Sequence, residues 1–448
     1  MKRQIITALC FVLIFSAGLT ACGNSAPSNL NSAPSSPESS QVPQTFPKNG
    51  QSNIQTNTAQ TGSVNLMSGI TAGEVNRSTV PNEDPDAAFT EFSLRLLQNS
   101  IKEGENTLIS PLSILCALGM TANGADNETL AQMENTFGMS VDELNQYLYN
   151  YIQSLPQGDK YKLTLADAIW VRNSEYMTIN EEFLQTNADW YDAGLYQAPF
   201  DASTVKDIND WVKENTDGMI QDILDDIQPE DIMYLVNALA FDAEWQTIYE
   251  EHQIRDGIFT ATDGTEQAAE MMYSEENLYL EDESATGFLK YYADESYAFV
   301  ALLPNEGIST TEYIASLSGK KLQEMLDNAQ KATVHASTPK FQCEYSVEIN
   351  QPLISMGIVN AFDPGEADFS RMDAAGLRNL YISTVMHKTY ITVDEKGTKA
   401  GAATAVGIVR MSAPMNPKYV YLDRPFVYML IDCEENLPVF IGTLESLE

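Results

Sequence analysis

The chain has 448 residues, with 25 Lys+Arg against 63 Asp+Glu, a formal net charge of −38, 3 His and 5 Cys. Hydrophobic residues make up 44% and charged residues 20%, which calls for a packed core and excludes global disorder. So acidic a chain excludes binding to nucleic acid, which needs a basic stripe, and five cysteines are too few for a disulfide scaffold.

Lys2 and Arg3 precede an apolar run from Ile5 to Leu19, which ends in Leu19-Thr20-Ala21-Cys22. The run sits near the lower limit of about 17 residues for a membrane span, so a signal peptide fits better. The segment resembles the lipobox of bacterial lipoproteins. That resemblance implies removal of residues 1–21, lipidation of Cys22, and a protein held outside the cytoplasm on the bacterial cell membrane or surface. Residues 22–80 are rich in Ser, Asn, Gln, Pro and Thr. They carry too little apolar surface to offset their ordering entropy, and a disordered tether is expected.

Beyond residue 80 the pattern alternates irregularly between helix and strand. Phe89, Phe92, Leu96 and Leu97 recur at helical spacing after Asp84-Pro85. A buried helix is expected over 111–123, with Pro111 in its first turn. Ser140-x-x-Glu143 is a capping box for a helix reaching about Leu155. Two more helices fit 180–190 and 203–215, and strands fit 162–171, 234–241, 299–303, 381–393, 426–431 and 439–444. In the fourth strand Val385, His387, Thr389, Ile391 and Val393 share one face. No repeat and no break in composition divides residues 81–448, so one α+β domain is expected there.

Chemistry-bearing motifs are sparse. The chain has no Gly-x-Ser-x-Gly elbow, His-Glu-x-x-His, Walker loop or Gly-x-Gly-x-x-Gly. His252, His335 and His387 leave few candidates for a general base, and counting alone leaves a glycosidase-type carboxylate pair open. Cys116, Cys343 and Cys433 have no metal-binding spacing; free thiols are expected, with one disulfide as the alternative. No metal or other cofactor is called for.

One stretch resists a simple reading. Residues 394–412 follow a good strand, yet the run from Gly397 to Gly407 is poor in large side chains and cannot build a core. Alone it would read as a surface linker. It lies inside a longer pattern: Asn106-Thr107-Leu108-Ile109-Ser110-Pro111-Leu112-Ser113-Ile114, then Asn237-Ala238-Leu239-Ala240-Phe241-Asp242-Ala243-Glu244-Trp245, then Thr338-Pro339-Lys340-Phe341, Asp423-Arg424-Pro425-Phe426 and Phe440-Ile441-Gly442. With these motifs in this order, residues 81–448 resemble a serpin. The resemblance implies a single domain with three β-sheets, about eight or nine helices and an exposed reactive-centre loop over about 395–418.

The implied activity is irreversible suicide inhibition of serine proteases by a monomer that is not itself an enzyme. The protease's serine attacks the loop and forms an acyl-enzyme; the loop then inserts into the main sheet and the tethered protease is distorted. The resemblance assigns the hinge to Glu395, Gly397, Thr398, Ala400, Ala402 and Thr404. The inward set Thr398, Ala400, Ala402 and Thr404 is small and uncharged, so its insertion buries no unpaired charge. Lys399 and Gly401, on the outward set, depart from the commonest family pattern. Members of the resembled family commonly carry the reactive bond sixteen residues beyond the position of Glu395, which implies Met411–Ser412, suited to an elastase-like or chymotrypsin-like pocket; Arg410–Met411 is the alternative, for a trypsin-like enzyme. Ser110, Ser113, Asn237 and His387 match the polar gate under the sheet, and Trp245 the breach where insertion begins. The acidic surface is also expected to steer cationic proteases. The competing readings are a non-inhibitory serpin-fold binding protein and, from another class, a lipoprotein that binds solutes or hydrolyses a substrate.

Overall fold

The structure is a computed structural model, describing residues 62–75, 84–175, 177–191, 194–398 and 416–448. It opens with a two-residue strand, β1 (Val64–Asn65). Helix α1 (Pro85–Ser100) starts where Asp84 accepts from the Ala87 amide, with Pro85 in the first turn, where no donor is wasted. β2 (Thr107–Ile109) leads to α2 (Pro111–Ala122), capped by Ser110 and buried along its whole length. α3 (Asn127–Phe137) and α4 (Val141–Ser154) follow, the latter with both halves of the Ser140/Glu143 capping box in place. Then come β3 (Tyr161–Arg172), α5 (Glu181–Trp190), β4 (Gly194–Ala198), α6 (Ala202–Asn215) and β5 (Met233–Glu244). β6 (Ile254–Thr260), β7 (Glu266–Glu281), β8 (Ala285–Tyr291) and β9 (Tyr297–Pro304) run in antiparallel succession. The rest comprises α7 (Thr310–Ser316), α8 (Gly319–Asp327), β10 (Gln330–Pro339), β11 (Phe341–Glu348), α9 (Asn350–Met356), β12 (Thr384–Val393), β13 (Gly397–Thr398), β14 (Lys418–Tyr421), β15 (Phe426–Asp432) and β16 (Pro438–Leu444).

Hydrogen bonding gathers these strands into two sheets. The first has seven strands in the order β1-β4-β3-β5-β13-β12-β11; the second has nine and contains β14-β10-β7-β8-β9-β15-β16-β2, with β6 on β7. The expectation of three sheets resolves into two because β7 is one unbroken sixteen-residue strand. Its first part, Glu266 to Met272, pairs with β6, the stretch from Met271 to Tyr279 pairs with β10, and its end, from Leu278, pairs with β8, joining what would otherwise be separate sheets.

The seven-stranded sheet positions the site. β5 and β12 run parallel and side by side, from Thr384 opposite Tyr234 to Tyr390 opposite Ala240. One face of this pair packs on α2 and the main core. The other is covered by Ile208 and Val212 of α6 and by Ile220 and Ile223 of the chain after it, laid over Ala166, Val236 and Ala238.

Residues 62–75 depart from the expectation of a tether across 22–80. Val64 and Asn65 add antiparallel to β4, opposite Gln197 and Tyr196. Ser63 gives Asp207 its amide at 3.2 Å and its hydroxyl at 2.6 Å, and Leu66, Met67 and Ile70 pack against the core. A polar-rich segment is ordered here because β4 offers an open edge and the core an apolar seat, neither of which local composition reveals. Cys116, Cys343 and Cys433 are free thiols, so the disulfide alternative is not realised. Burial pushes their thiols up, Cys343 to about 11 and Cys433 to about 12.

Candidate functional site

The site begins where the chain leaves β12. After Val393 it makes a tight turn in which Asp394 accepts from the amides of Lys396 and Gly397, and it re-enters the sheet as β13. Gly397 lies opposite Glu244 and Thr398 opposite Ala243, both on β5, while Thr398 pairs with Val393 on β12. Two residues are thus already wedged between the upper ends of β5 and β12. Gly397 has φ +155°, and a Cβ there would overlap the Ala243 carbonyl, so glycine is required.

An aromatic frame holds this turn. Trp245, directly after β5, gives its backbone amide to the Lys396 carbonyl and its indole Nε1–H to the Asp394 carbonyl, each at 2.8 Å. The Tyr249 amide donates to the Glu395 carbonyl at 2.9 Å. Trp245 stacks on Tyr292 with ring centroids 4.3 Å apart. The Tyr292 hydroxyl meets the Thr398 hydroxyl at 2.7 Å, and the Thr398 side chain is fully buried. The Glu395 carboxylate pairs with Lys340 at 3.0 Å; that ammonium holds its carboxyl below the usual range.

Lower in the β5–β12 pair sits a buried polar cluster. The Ser110 amide donates to His387 Nε2 at 3.0 Å, so Nε2 carries the lone pair. Nδ1 therefore carries the proton and donates to the Asn237 amide oxygen. His387 is wholly buried with no carboxylate among its hydrogen-bond partners, and burial drives its pKa down to about 3, so the ring is neutral. Ser110 also caps α2 through the Ser113 amide. The four residues Ser110, Ser113, Asn237 and His387 are thereby gathered under one strand pair.

A fifth member was not singled out from the sequence. Asp167 on β3 lies opposite Asn237 and accepts from the Ser113 hydroxyl at 3.0 Å. Burial pushes its carboxyl well up, against the smaller opposing pull of that hydroxyl. The signal was there to find, an acid inside Leu163-Thr164-Leu165-Ala166-Asp167-Ala168-Ile169-Trp170, where strand alternation allows an inward position.

The other histidines stand apart from this cluster. His252 is largely exposed beside Glu250, and His335 stacks on Tyr419. Among the described residues no group of three or more His, Cys, Asp or Glu is placed to hold a metal ion. Lys399, Ala400, Gly401, Ala402, Thr404, Arg410, Met411 and Ser412 lie outside the described residues, as does Cys22.

Comparison with known proteins bears on this arrangement. The family model described as Serpin (serine protease inhibitor) matches residues 87–447. An uncharacterized serpin-like protein of Thermococcus kodakarensis is 30% identical over 368 residues, covering 80% of this chain and 84% of its own. Human antithrombin-III is 27% identical, over 83% of each chain. Among solved structures, the thermophilic serpin tengpin in its native state is 50% identical, with a TM-score of 0.82, covering 86% of this chain and 100% of that one. Tengpin in its latent state is also 50% identical, with a TM-score of 0.73, covering 83% of this chain and 100% of that one. The chain belongs to the serpin family, whose members are generally protease inhibitors rather than enzymes.

Proposed function

We propose that this serpin is a single-use covalent inhibitor of serine proteases, cleaved at Met411–Ser412 by an elastase-like or chymotrypsin-like enzyme. The observation that carries the reading is the seat of Thr398: the first inward side chain of the loop is buried between β5 and β12 while their lower halves still pair directly. Further entry requires β12 to part from β5 and small residues to follow. The sequence supplies Ala400, Ala402 and Thr404 at the alternate positions. Each ladder bond gained is worth about 1 kcal/mol net, and a new middle strand gains many. The acyl-enzyme carried with the loop loses its oxyanion-hole geometry, which costs deacylation roughly 3–4 kcal/mol.

In this reading Ser110, Ser113, Asn237 and His387 act as the gate that must yield, Trp245 and Glu395 mark the entry point, and no cofactor takes part. The protein works as a monomer, held outside a bacterial cell by lipid on Cys22. Incubation with pancreatic elastase and with trypsin, followed by denaturing electrophoresis, tests the reading. A covalent band of summed mass with elastase, and a released fragment whose mass begins at Ser412, are the expected results. A fragment beginning at Met411 moves the bond to Arg410; clipped protein with no covalent band removes the inhibitor reading. Mass spectrometry of the membrane-bound protein, with a diacylglycerol-modified Cys22 expected, tests the anchor.

A second reading, a serpin-fold binding protein without inhibitory activity, is favoured by Lys399 and Gly401. Glycine weakens an incoming strand by about 0.5–1 kcal/mol.

A further inference from the structure

The aromatic frame that holds the loop's first turn rests on a charge that none of the motifs above includes. Lys290, on β8 of the other sheet, is 4% exposed. Its ammonium pairs with Glu276 of β7 at 3.0 Å and donates to the Thr247 carbonyl at 3.3 Å. It also lies 4.3 Å from the centroid of the Tyr249 ring and 5.3 Å from that of Trp245. Burial works against the charge, but Glu276 and Tyr249 outweigh it, and the ammonium stays protonated.

An isolated buried cation would be costly, and an apolar side chain would fill the same space at less risk. What an apolar residue could not supply is attraction to the faces of two rings at once. Those two residues, Trp245 and Tyr249, make all three amide and indole bonds to the Asp394, Glu395 and Lys396 carbonyls. Trp245 also stacks on Tyr292, which meets Thr398. A single line of contacts therefore runs from Glu276 through Lys290 and the rings to Thr398, the first inward side chain of the loop.

We propose that the buried Lys290–Glu276 pair is a positioning element of the trap, fixing Trp245 and Tyr249 so that the uncleaved loop is held at Thr398 and does not advance between β5 and β12. The inference rests on the proposed inhibitory reading for its biological use, but not for its test. Premature advance would yield an inactive, loop-inserted monomer, and tengpin, at 50% identity, has been solved in a latent as well as a native state.

The test follows conversion of the uncleaved full-length protein to a heat-resistant monomer on native gels, at fixed temperatures up to the onset of unfolding, for wild type, Lys290→Met, Lys290→Met/Glu276→Gln and Lys290→Arg. Both variants lacking the cation are expected to convert at least about tenfold faster than wild type, the scale of a desolvated cation–ring contact. Lys290→Arg, which keeps a cation on the rings, is expected within about threefold of wild type. The initial association rate with pancreatic elastase is expected to stay within about twofold, since the bait bond is untouched. The double variant carries no unpaired buried charge, so it decides the matter even where Lys290→Met does not fold. Conversion of the double variant at the wild-type rate, or in neither protein, overturns the proposal. Conversion needs no protease, so a wild type that forms no covalent complex removes the inhibitor reading and leaves this result standing.

Discussion

The hydroxyls of Thr398 and Tyr292 meet at 2.7 Å, joining the first inward side chain of the loop to a ring that belongs to neither of the strands on either side of it. The loop's point of arrest is thus defined by a side chain from the segment directly after β8. Thr398 is wholly buried, so a large charged replacement has no place to go. Thr398→Arg is expected to leave the bait bond cleavable while preventing entry. The ratio of cleaved to covalently complexed protein on denaturing gels with pancreatic elastase should rise at least about tenfold; an unchanged ratio would show that entry does not pass through this seat.

Gly397 answers to a backbone constraint. Its φ of +155° and the adjacent Ala243 carbonyl leave no room for a Cβ. Gly397→Ala is expected to lower the stability of the native form by about 1–3 kcal/mol, read as a fall in melting temperature. A variant that melts with wild type would mean that the turn relaxes at no cost.

His387 predicts an acid weakness. Its folded pKa, about 3, lies below the ordinary value near 6.5, so between these values the unfolded chain binds the extra proton. Stability contributed by the neutral ring is present above pH 6.5 and is lost as pH falls, by about 1.4 kcal/mol per pH unit. His387→Gln is expected to be less stable than wild type at pH 7.5, with the gap narrowing by pH 5 in chemical denaturation. A constant gap would remove this ring from the acid response.

Asp167 predicts the opposite sign. Its folded pKa is raised, so the folded state holds a proton that the unfolded state releases above its own pKa near 4. That contribution is present below the unfolded pKa and is lost as pH rises. Asp167→Asn keeps an oxygen for the Ser113 hydroxyl without the ionisation cost. It is expected to raise the melting temperature by a few degrees at pH 8 and by less at pH 5. A lowered melting temperature at pH 8 would show that the carboxyl is a net asset in this cluster.

Much of the local structure was readable in advance, for reasons that can be named. Asp84-Pro85, Ser110-Pro111 and the Ser140/Glu143 box each fix a helix start within four residues, and all three start where read. β12 was legible from the face shared by Val385, His387, Thr389, Ile391 and Val393. β7, by contrast, was not proposed as a strand. Its inward positions include Gln267 and Ala269, Glu266 and Glu270 alternate with them, and the strand holds no β-branched residue, so the usual strand signal is weak despite Tyr273 and Tyr279.

The sequence by itself determined the family motifs, the small inward set from Thr398 onward and the polar residues that recur beside them, because these are properties of short stretches of chain. Only the tertiary structure decided what each faces. Asn237 and His387 stand 150 residues apart and meet solely because β5 and β12 lie side by side. Asp167 joins them through strand register with β5, Lys290 reaches Trp245 from a different sheet, and Val64 finds the free edge of β4. Burial gives these groups their altered charge behaviour and their partners, and burial is a property of the packed whole rather than of any window of residues.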